Sequence, residues 1–451
     1  MFQENFLWGA SLSGFQFEMS GEQTIDPNSD WYVWLKNREN RENGLIVGDD
    51  PDFSAGYWNG YPDMHQLAQN GGMNALRIGV EWSRIFPNPT FGISGPQLDD
   101  MVDHTALERY KMILQDLKTR KMTTMVCLNH FTLPLWLHDP IAVNRGERST
   151  QTGWVDERIA EEFSKYATVV VRALDPWVDY WSTLNEPHVV ALLGYNLHSS
   201  GFPPAIVHHD FLKQALENES RSHIKAYHSM KEHTSKPVGI IYASGWATGP
   251  KKAREAALFD GTWRFLDSLQ GTMDFLGINY YSRMKVAERG DQWEALPGFG
   301  QGGPINEVTA DGRPTSDFGW EIFPEGLAMI LKAAHNRYRL PLFVMENGIA
   351  DNGDRYRPYF LVSHLYAVER ALRMGADVRG YFHWSLTDNY EWAKGRTMRF
   401  GLARLDFDTG VITPRPSYYL FREIVKAQTT KPWETYLRHP FLLWEEEYLH
   451  D

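Results

Sequence analysis

The chain has 451 residues, 43% of them apolar and 23% charged, an ordinary balance for a globular protein that buries a large core. Its formal net charge of −12 argues against a nucleic-acid partner, for which a basic footprint is expected. No stretch approaches the roughly 20 consecutive apolar residues of a membrane span, no basic segment precedes an apolar run at the N-terminus, and the lone Cys127 leaves no internal disulfide, so a cytoplasmic protein is expected.

Eight short apolar or β-rich runs are read as strands, at 6–11, 74–80, 123–129, 178–185, 238–243, 274–280, 342–346 and 378–384. Cys127 lies inside the third run and reads as a small buried hydrophobe rather than a reactive thiol. Amphipathic stretches lie between the runs. Ile159, Phe163, Tyr166 and Val170 recur at helical spacing, as do Leu361, Leu365, Val368 and Leu372. Such alternation predicts a parallel sheet covered by helices. Eight units predict the α/β class and a single (β/α)8 TIM barrel with extended βα loops, one domain spanning 1–451. The stretches 246–263 and 285–320 break the alternation and read as loops or short helices over the barrel mouth. The apolar stretch 433–451 closes the barrel or packs on another subunit.

In a (β/α)8 barrel the chemistry sits at the carboxyl ends of the strands. Polar residues fall at those positions: Asn129-His130, Asn185-Glu186, Asn279-Tyr280-Tyr281 and Glu346-Asn347. No G-x-G-x-x-G and no phosphate loop is present. Glu186 ends an apolar strand before Pro187, which stops the ladder. Glu346 ends another before Gly348. One acid at a strand end is weak evidence and reads as a solvated rim residue. Two such acids, each beside an asparagine, point to paired carboxylate chemistry. The 17 Trp, 21 Tyr and 24 Phe suit either core packing or the stacking faces of a sugar cleft.

Thr183-Leu184-Asn185-Glu186-Pro187 and Val344-Met345-Glu346-Asn347-Gly348 resemble the paired signatures of family 1 glycoside hydrolases. The resemblance covers nearly the whole chain. It includes Phe6-Leu7-Trp8-Gly9-Ala10 with Gln16, Arg77 with Glu81-Trp82-Ser83-Arg84, and Asn129-His130-Phe131. It continues through Asn279-Tyr280-Tyr281, the run Trp384 to Trp392, and Arg399-Phe400-Gly401-Leu402. Asp30-Trp31-Tyr32-Val33-Trp34 and Ser200-Gly201-Phe202-Pro203-Pro204 are similar to the archaeal, heat-stable branch.

The resemblance implies a retaining β-glycosidase acting by double displacement, with 1–451 as its catalytic domain. Glu346 would be the nucleophile and Glu186 the acid/base. Arg77, Asn279 and Tyr281 would support them, with Arg77 and Tyr281 on Glu346. Gln16, His130, Asn185, Trp384, Glu391, Trp392 and Phe400 would bind the sugar, and Asn185 would contact its 2-hydroxyl. Read alone, His130 is a core histidine, Gln16 a backbone-satisfying amide, and Trp384 and Trp392 packing. Phe131 stands where many family members carry Trp. Glu391 would repel a phosphate, so terminal unphosphorylated β-D-glycosides and short oligosaccharides are the expected substrates. A β-glucosidase with β-galactosidase and β-fucosidase activity is expected. A β-mannosidase of the same family is the alternative, and a non-catalytic sugar-binding protein the rival from another class. No cofactor and no metal is implied, and a homo-oligomer, dimer or tetramer, is expected.

Overall fold

The computed structural model describes residues 1–438. Eight parallel strands close into a barrel: β1 (Leu7–Ser11), β2 (Ala75–Gly79), β3 (Thr123–Asn129), β4 (Tyr180–Asn185), β5 (Val238–Ala243), β6 (Leu276–Asn279), β7 (Leu342–Asn347) and β8 (Val378–His383). Each pairs with its chain neighbours, and β1 closes the ring against β8 through Leu7 opposite Gly380 and Ala10 opposite His383. All eight expected strands are present, with ends that differ from expectation by at most two residues.

Eight helices follow the strands in turn. They are α1 (Tyr57–Asn70), α2 (His104–Thr119), α3 (Ile159–Leu174), α4 (His209–Lys231), α5 (Lys251–Leu258), α6 (Pro324–Tyr338), α7 (Arg357–Arg373) and α8 (Pro416–Ala427). The helical spacings translate into buried faces. Ile159, Phe163, Tyr166 and Val170 are fully buried on α3, as are Leu361, Leu365 and Val368 on α7. The apolar stripe covers the sheet and the polar stripe faces water.

Strand side chains alternate between two cores, as a period of two demands. Ala75, Met125, Cys127, Ile241, Phe343, Met345 and Phe382 fill the inside of the barrel. Leu342, Val344 and Ile240 face the helices. Cys127 is thus a packing residue, and burial pushes its thiol up and away from reactivity.

Of the two stretches expected as loops or short helices over the mouth, the first is largely helical and the second carries strands. The first, 246–263, contains α5, which continues through a π turn at Phe259–Trp263 into Arg264–Asp267. The second holds an antiparallel hairpin, Met284–Arg289 with Gln292–Ala295, joined by the short strand Ala247–Thr248. Val286 is the one buried residue of the hairpin's two strands, so no apolar alternation marked them. In the tail, Lys431–Arg438 forms 3-10 turns; residues 439–451 lie outside the described residues. Among the described residues, no helix is long and apolar enough to cross a membrane.

Candidate active site

Both acids reach the mouth because their strands end irregularly. On β7, alternation would send Glu346 outward with Val344. The pairing shifts register between Val344 and Glu346, and the bulge turns the carboxyl toward the barrel axis. On β4, register shifts between Ser182 and Asn185. Glu186 then takes φ = +50°, a left-handed conformation rare for a residue with a side chain. Pro187, with its fixed φ, starts the helix Pro187–Tyr195 immediately behind it.

Glu346 is only 4% exposed and lies among donors. Arg77, fully buried on β2, donates from Nη2 to Oε1 at 2.5 Å, and the Tyr281 hydroxyl donates to Oε2 at 2.6 Å. One cation and one phenol therefore serve the two oxygens, an arrangement suited to an acceptor-only carboxylate. Tyr281 itself is raised well above the usual phenol range by burial and by Glu346, so it keeps the proton it donates.

Glu186 has a different environment. Its Oε1 accepts from Asn279 Nδ2 at 2.7 Å. Burial first, and the nearby Glu346 charge second, push its carboxyl up to about 8; Asn279 and Arg77 oppose this without overcoming it. One acid is thus paired with a cation, and its neighbour is held protonated near neutrality.

The remaining groups form a shell around this pair. Arg77 Nη1 and Asn279 Nδ2 both donate to Asn185 Oδ1, at 3.2 and 3.1 Å. The oxygen of Asn185 is thereby occupied, and its amide nitrogen stands 3.5 Å from His130 Nε2. Arg77 Nη2 also donates to His130 Nδ1 at 3.2 Å. Arginine can only donate, so Nδ1 accepts and the ring proton sits on Nε2. Burial and Arg77 hold the His130 pKa well below its usual value, which keeps the ring neutral. Gln16 donates to Asn389 Oδ1 at 3.2 Å and to Glu391 Oε2 at 3.3 Å. Burial, and then Glu346, raise Glu391 to about 8.

The aromatic residues make the walls. Trp384 lies parallel to His130, with ring centroids 5.8 Å apart. Trp392 stacks on Phe15 at 5.9 Å and packs against Trp31 and Phe131 at 4.5 and 5.0 Å. Phe131 therefore occupies the wall itself. Phe400 packs on Tyr281 and Trp320. All twelve residues singled out by sequence are gathered at this end of the barrel.

Two residues of the site had no assigned role. Asn389 receives Gln16, and Trp320 packs on Tyr281 at 5.1 Å. Trp320 closes the stretch 285–320, so an aromatic at the end of a mouth-covering insertion was the available signal. Arg396 and Arg399 are committed elsewhere. Arg396 donates to the Asp50 carbonyl, and Arg399 donates to the Leu405 carbonyl and pairs with Asp388 at 3.6 Å.

A closed (β/α)8 barrel with two buried, unequally supported glutamates in an aromatic-walled mouth defines a glycoside hydrolase of the β-glycosidase type. The chain belongs to one family of that class: the profile described as Glycosyl hydrolase family 1 matches residues 1–265 and 252–430. It is 42% identical to a beta-galactosidase of Saccharolobus solfataricus, over 94% of both chains. Its structure is similar to that of Fpglu1 from Fervidobacterium pennivoraus (TM-score 0.95, 43% identity, 98% of this chain and 100% of the other). It also resembles the beta-glycosidase of Thermosphaera aggregans (TM-score 0.93, 38% identity, 95% and 97%).

Proposed function

We propose that the chain is a retaining, exo-acting β-glycosidase for terminal unphosphorylated β-D-glycosides, a β-glucosidase that also accepts β-galactosides and β-fucosides. The observation that carries this reading is the unequal support of the two acids. Arg77 and Tyr281 hold Glu346 as an acceptor, while burial keeps a proton on Glu186. Glu346 attacks the anomeric carbon as the glycosidic bond breaks, and Glu186 gives its proton to the departing oxygen. The glycosyl ester on Glu346 is then opened by a water that surrenders its proton to Glu186, restoring both groups.

The sugar's hydroxyls meet the Nε2–H of His130, the amide of Asn185, Gln16 and Glu391. Asn185 meets the 2-hydroxyl, whose hydrogen bond strengthens in the transition state. Trp384, Trp392 and Phe400 cover the ring's apolar faces. Glu391 sits where a phosphate on the sugar would meet a carboxyl, and neither Arg396 nor Arg399 offsets it. The relatives' names, beta-galactosidase in Saccharolobus solfataricus and Beta-glucosidase A in Thermotoga maritima, favour the glucoside and galactoside reading.

Trapping with a 2-fluoro glycoside tests the mechanism. The expected result is stoichiometric labelling of a peptide containing Glu346; a label on any other residue overturns it. Comparing kcat/KM on nitrophenyl β-glucoside, β-galactoside and β-mannoside tests the sugar, and a mannoside preference selects the alternative. Inactivity on all three would favour a non-catalytic sugar-binding protein. A single catalytic domain, a dimer or tetramer, and a cytoplasmic location complete the reading. One solved relative is described as derived from a hyperthermophilic tetrameric structure, which favours an oligomer; light scattering measures it.

A further inference from the structure

Behind the sugar-facing residues lies a second group of buried carboxyls. Glu81 follows β2 and precedes the short helix Trp82–Ile85; it is 2% exposed and touches none of the reacting groups described above. Its two oxygens hold two different loops. Oε1 accepts from the Phe15 backbone N–H at 2.9 Å, and Oε2 accepts from the Thr132 hydroxyl at 2.5 Å. Phe15 precedes Gln16 and stacks on Trp392. Thr132 follows His130-Phe131, and its carbonyl accepts from Asn129 at 2.8 Å, which closes that turn. Gly14 is needed for this approach, since a Cβ there would collide with the Glu81 carboxyl.

Glu81 is itself held from behind. Its backbone N–H donates to the Tyr110 hydroxyl at 3.0 Å, and that hydroxyl donates to Glu18 at 2.8 Å. Arg84 donates to Glu18 at 2.7 Å, and Ser83 donates to Asp26 at 2.6 Å. Of these three carboxyls, Glu18 is the one paired with the Arg84 guanidinium.

We propose that Glu81 is a positioning residue: it fixes the loop after β1 against the loop after β3, and so sets Gln16 and His130 at their spacing across the sugar. A hydrogen bond to each loop from one rigidly held carboxyl transmits small displacements directly, and a shift of about 1 Å in binding groups is enough to cost about 100-fold in rate. Burial and Glu18 raise Glu81 to about 8, so the neutral amide of glutamine is a close mimic of its protonated form. The amide oxygen would take the Phe15 N–H, and the amide nitrogen would donate to the Thr132 hydroxyl oxygen, keeping both loops tied with the second bond reversed in direction.

This inference rests on Gln16 and His130 binding the sugar, as proposed above. The test compares the native enzyme with Glu81→Ala, Glu81→Gln, Gln16→Ala and the double variant Gln16→Ala/Glu81→Ala on nitrophenyl glycosides. Glu81→Ala is expected to lower kcat/KM by about tenfold or more, Glu81→Gln to stay within about threefold of native, and the loss from Glu81→Ala to shrink at least about threefold in the Gln16→Ala background, the remainder acting through His130. Losses that multiply, or a folded Glu81→Ala enzyme with native kcat/KM, overturn the proposal. If Glu81→Ala does not fold, Thr132→Val, alone and with Gln16→Ala, is judged by the same non-additivity. A native enzyme inactive on every glycoside would instead sink the functional reading, so the two failures are distinct.

Discussion

At the scale of single residues, chemically identical carboxyls are made different by what surrounds them. Glu346 has a guanidinium and a phenol on its oxygens; Glu186 is buried with one amide donating to it. For Glu186, desolvation and the neighbouring charge act in the same direction, and the single amide bond is too weak to reverse them. Once Glu346 is esterified its charge is gone, the second-largest cause disappears, and Glu186 becomes a stronger acid, which suits the base it must be in the second step. The proton on Glu186 is required in the first step, so kcat/KM is expected to fall as pH rises through about 8. Glu186→Gln should lower kcat/KM by about 10²–10⁴-fold on glycosides whose leaving group needs a proton. It should cost much less with a dinitrophenyl leaving group, which departs unprotonated. With that substrate the variant's pH profile should have no alkaline limb, and a limb that persists would assign the proton to another group.

At the scale of elements, regular structure was legible in the sequence and departures from it were not. The β3 run Thr123–Asn129 is a continuous, largely apolar stretch and the α3 stripe of Ile159, Phe163, Tyr166 and Val170 has helical spacing, so burial could be read directly from both. The bulge before Glu346 and the positive φ of Glu186 break the period, and only a register in three dimensions reveals them. The site residues were found by matching whole motifs, because Gln16 or His130 alone looks like any buried polar side chain. The hairpin from Met284 was missed because its strands, with Val286 alone buried, carry no apolar alternation, and Glu81 had a motif but no evident task. The loop holding Asn389 and Glu391 depends on Asp388, which is fully buried. Asp388 accepts from Gly401 N, from Leu405 N, and from both terminal nitrogens of Arg415 at 3.1 and 3.0 Å. Breaking a buried pair by removing one partner is destabilising, and here Arg399, 3.6 Å from Asp388, would still face that carboxylate. Arg415→Ala should therefore destabilise the protein by about 3 kcal/mol, the low end for a broken buried pair, with Asp388→Asn/Arg415→Met recovering part of it. Denaturant unfolding measures both, and an unchanged midpoint for Arg415→Ala would show that the pair does not hold this loop.

At the scale of the molecule, the barrel buries two sets of titrating groups whose effects on stability have opposite signs. Glu81, Glu186 and Glu391 each rise from 4.5 to about 8, and burial raises Glu219 well above its ordinary value too. The folded state holds these protons more tightly than the unfolded chain, so stability falls as pH climbs from about 4.5 toward 8. His65 and His223 drop to about 4, His188 and His364 to about 3, and burial also lowers His130 and His383. There the unfolded chain binds the proton better, so stability rises with pH between the folded values and about 6.5. The two slopes oppose each other between about 4.5 and 6.5, and above about 6.5 only the glutamates act. Unfolding free energy should therefore decline from about pH 6.5 toward pH 8, whereas salt-bridged carboxylates give a rise that is complete by about pH 5. Glu391→Gln and Glu81→Gln should each flatten the alkaline decline and make stability rise more, or fall less, between about pH 4.5 and 6.5, because each removes one group that opposes the histidines there. Chemical denaturation at half-unit steps from pH 4.5 to 8.5 reads this directly. A stability that keeps rising past pH 7, or a decline identical in both glutamine variants and the native protein, would mean that the buried acids relax on ionisation, by admitting water, more readily than their packing implies.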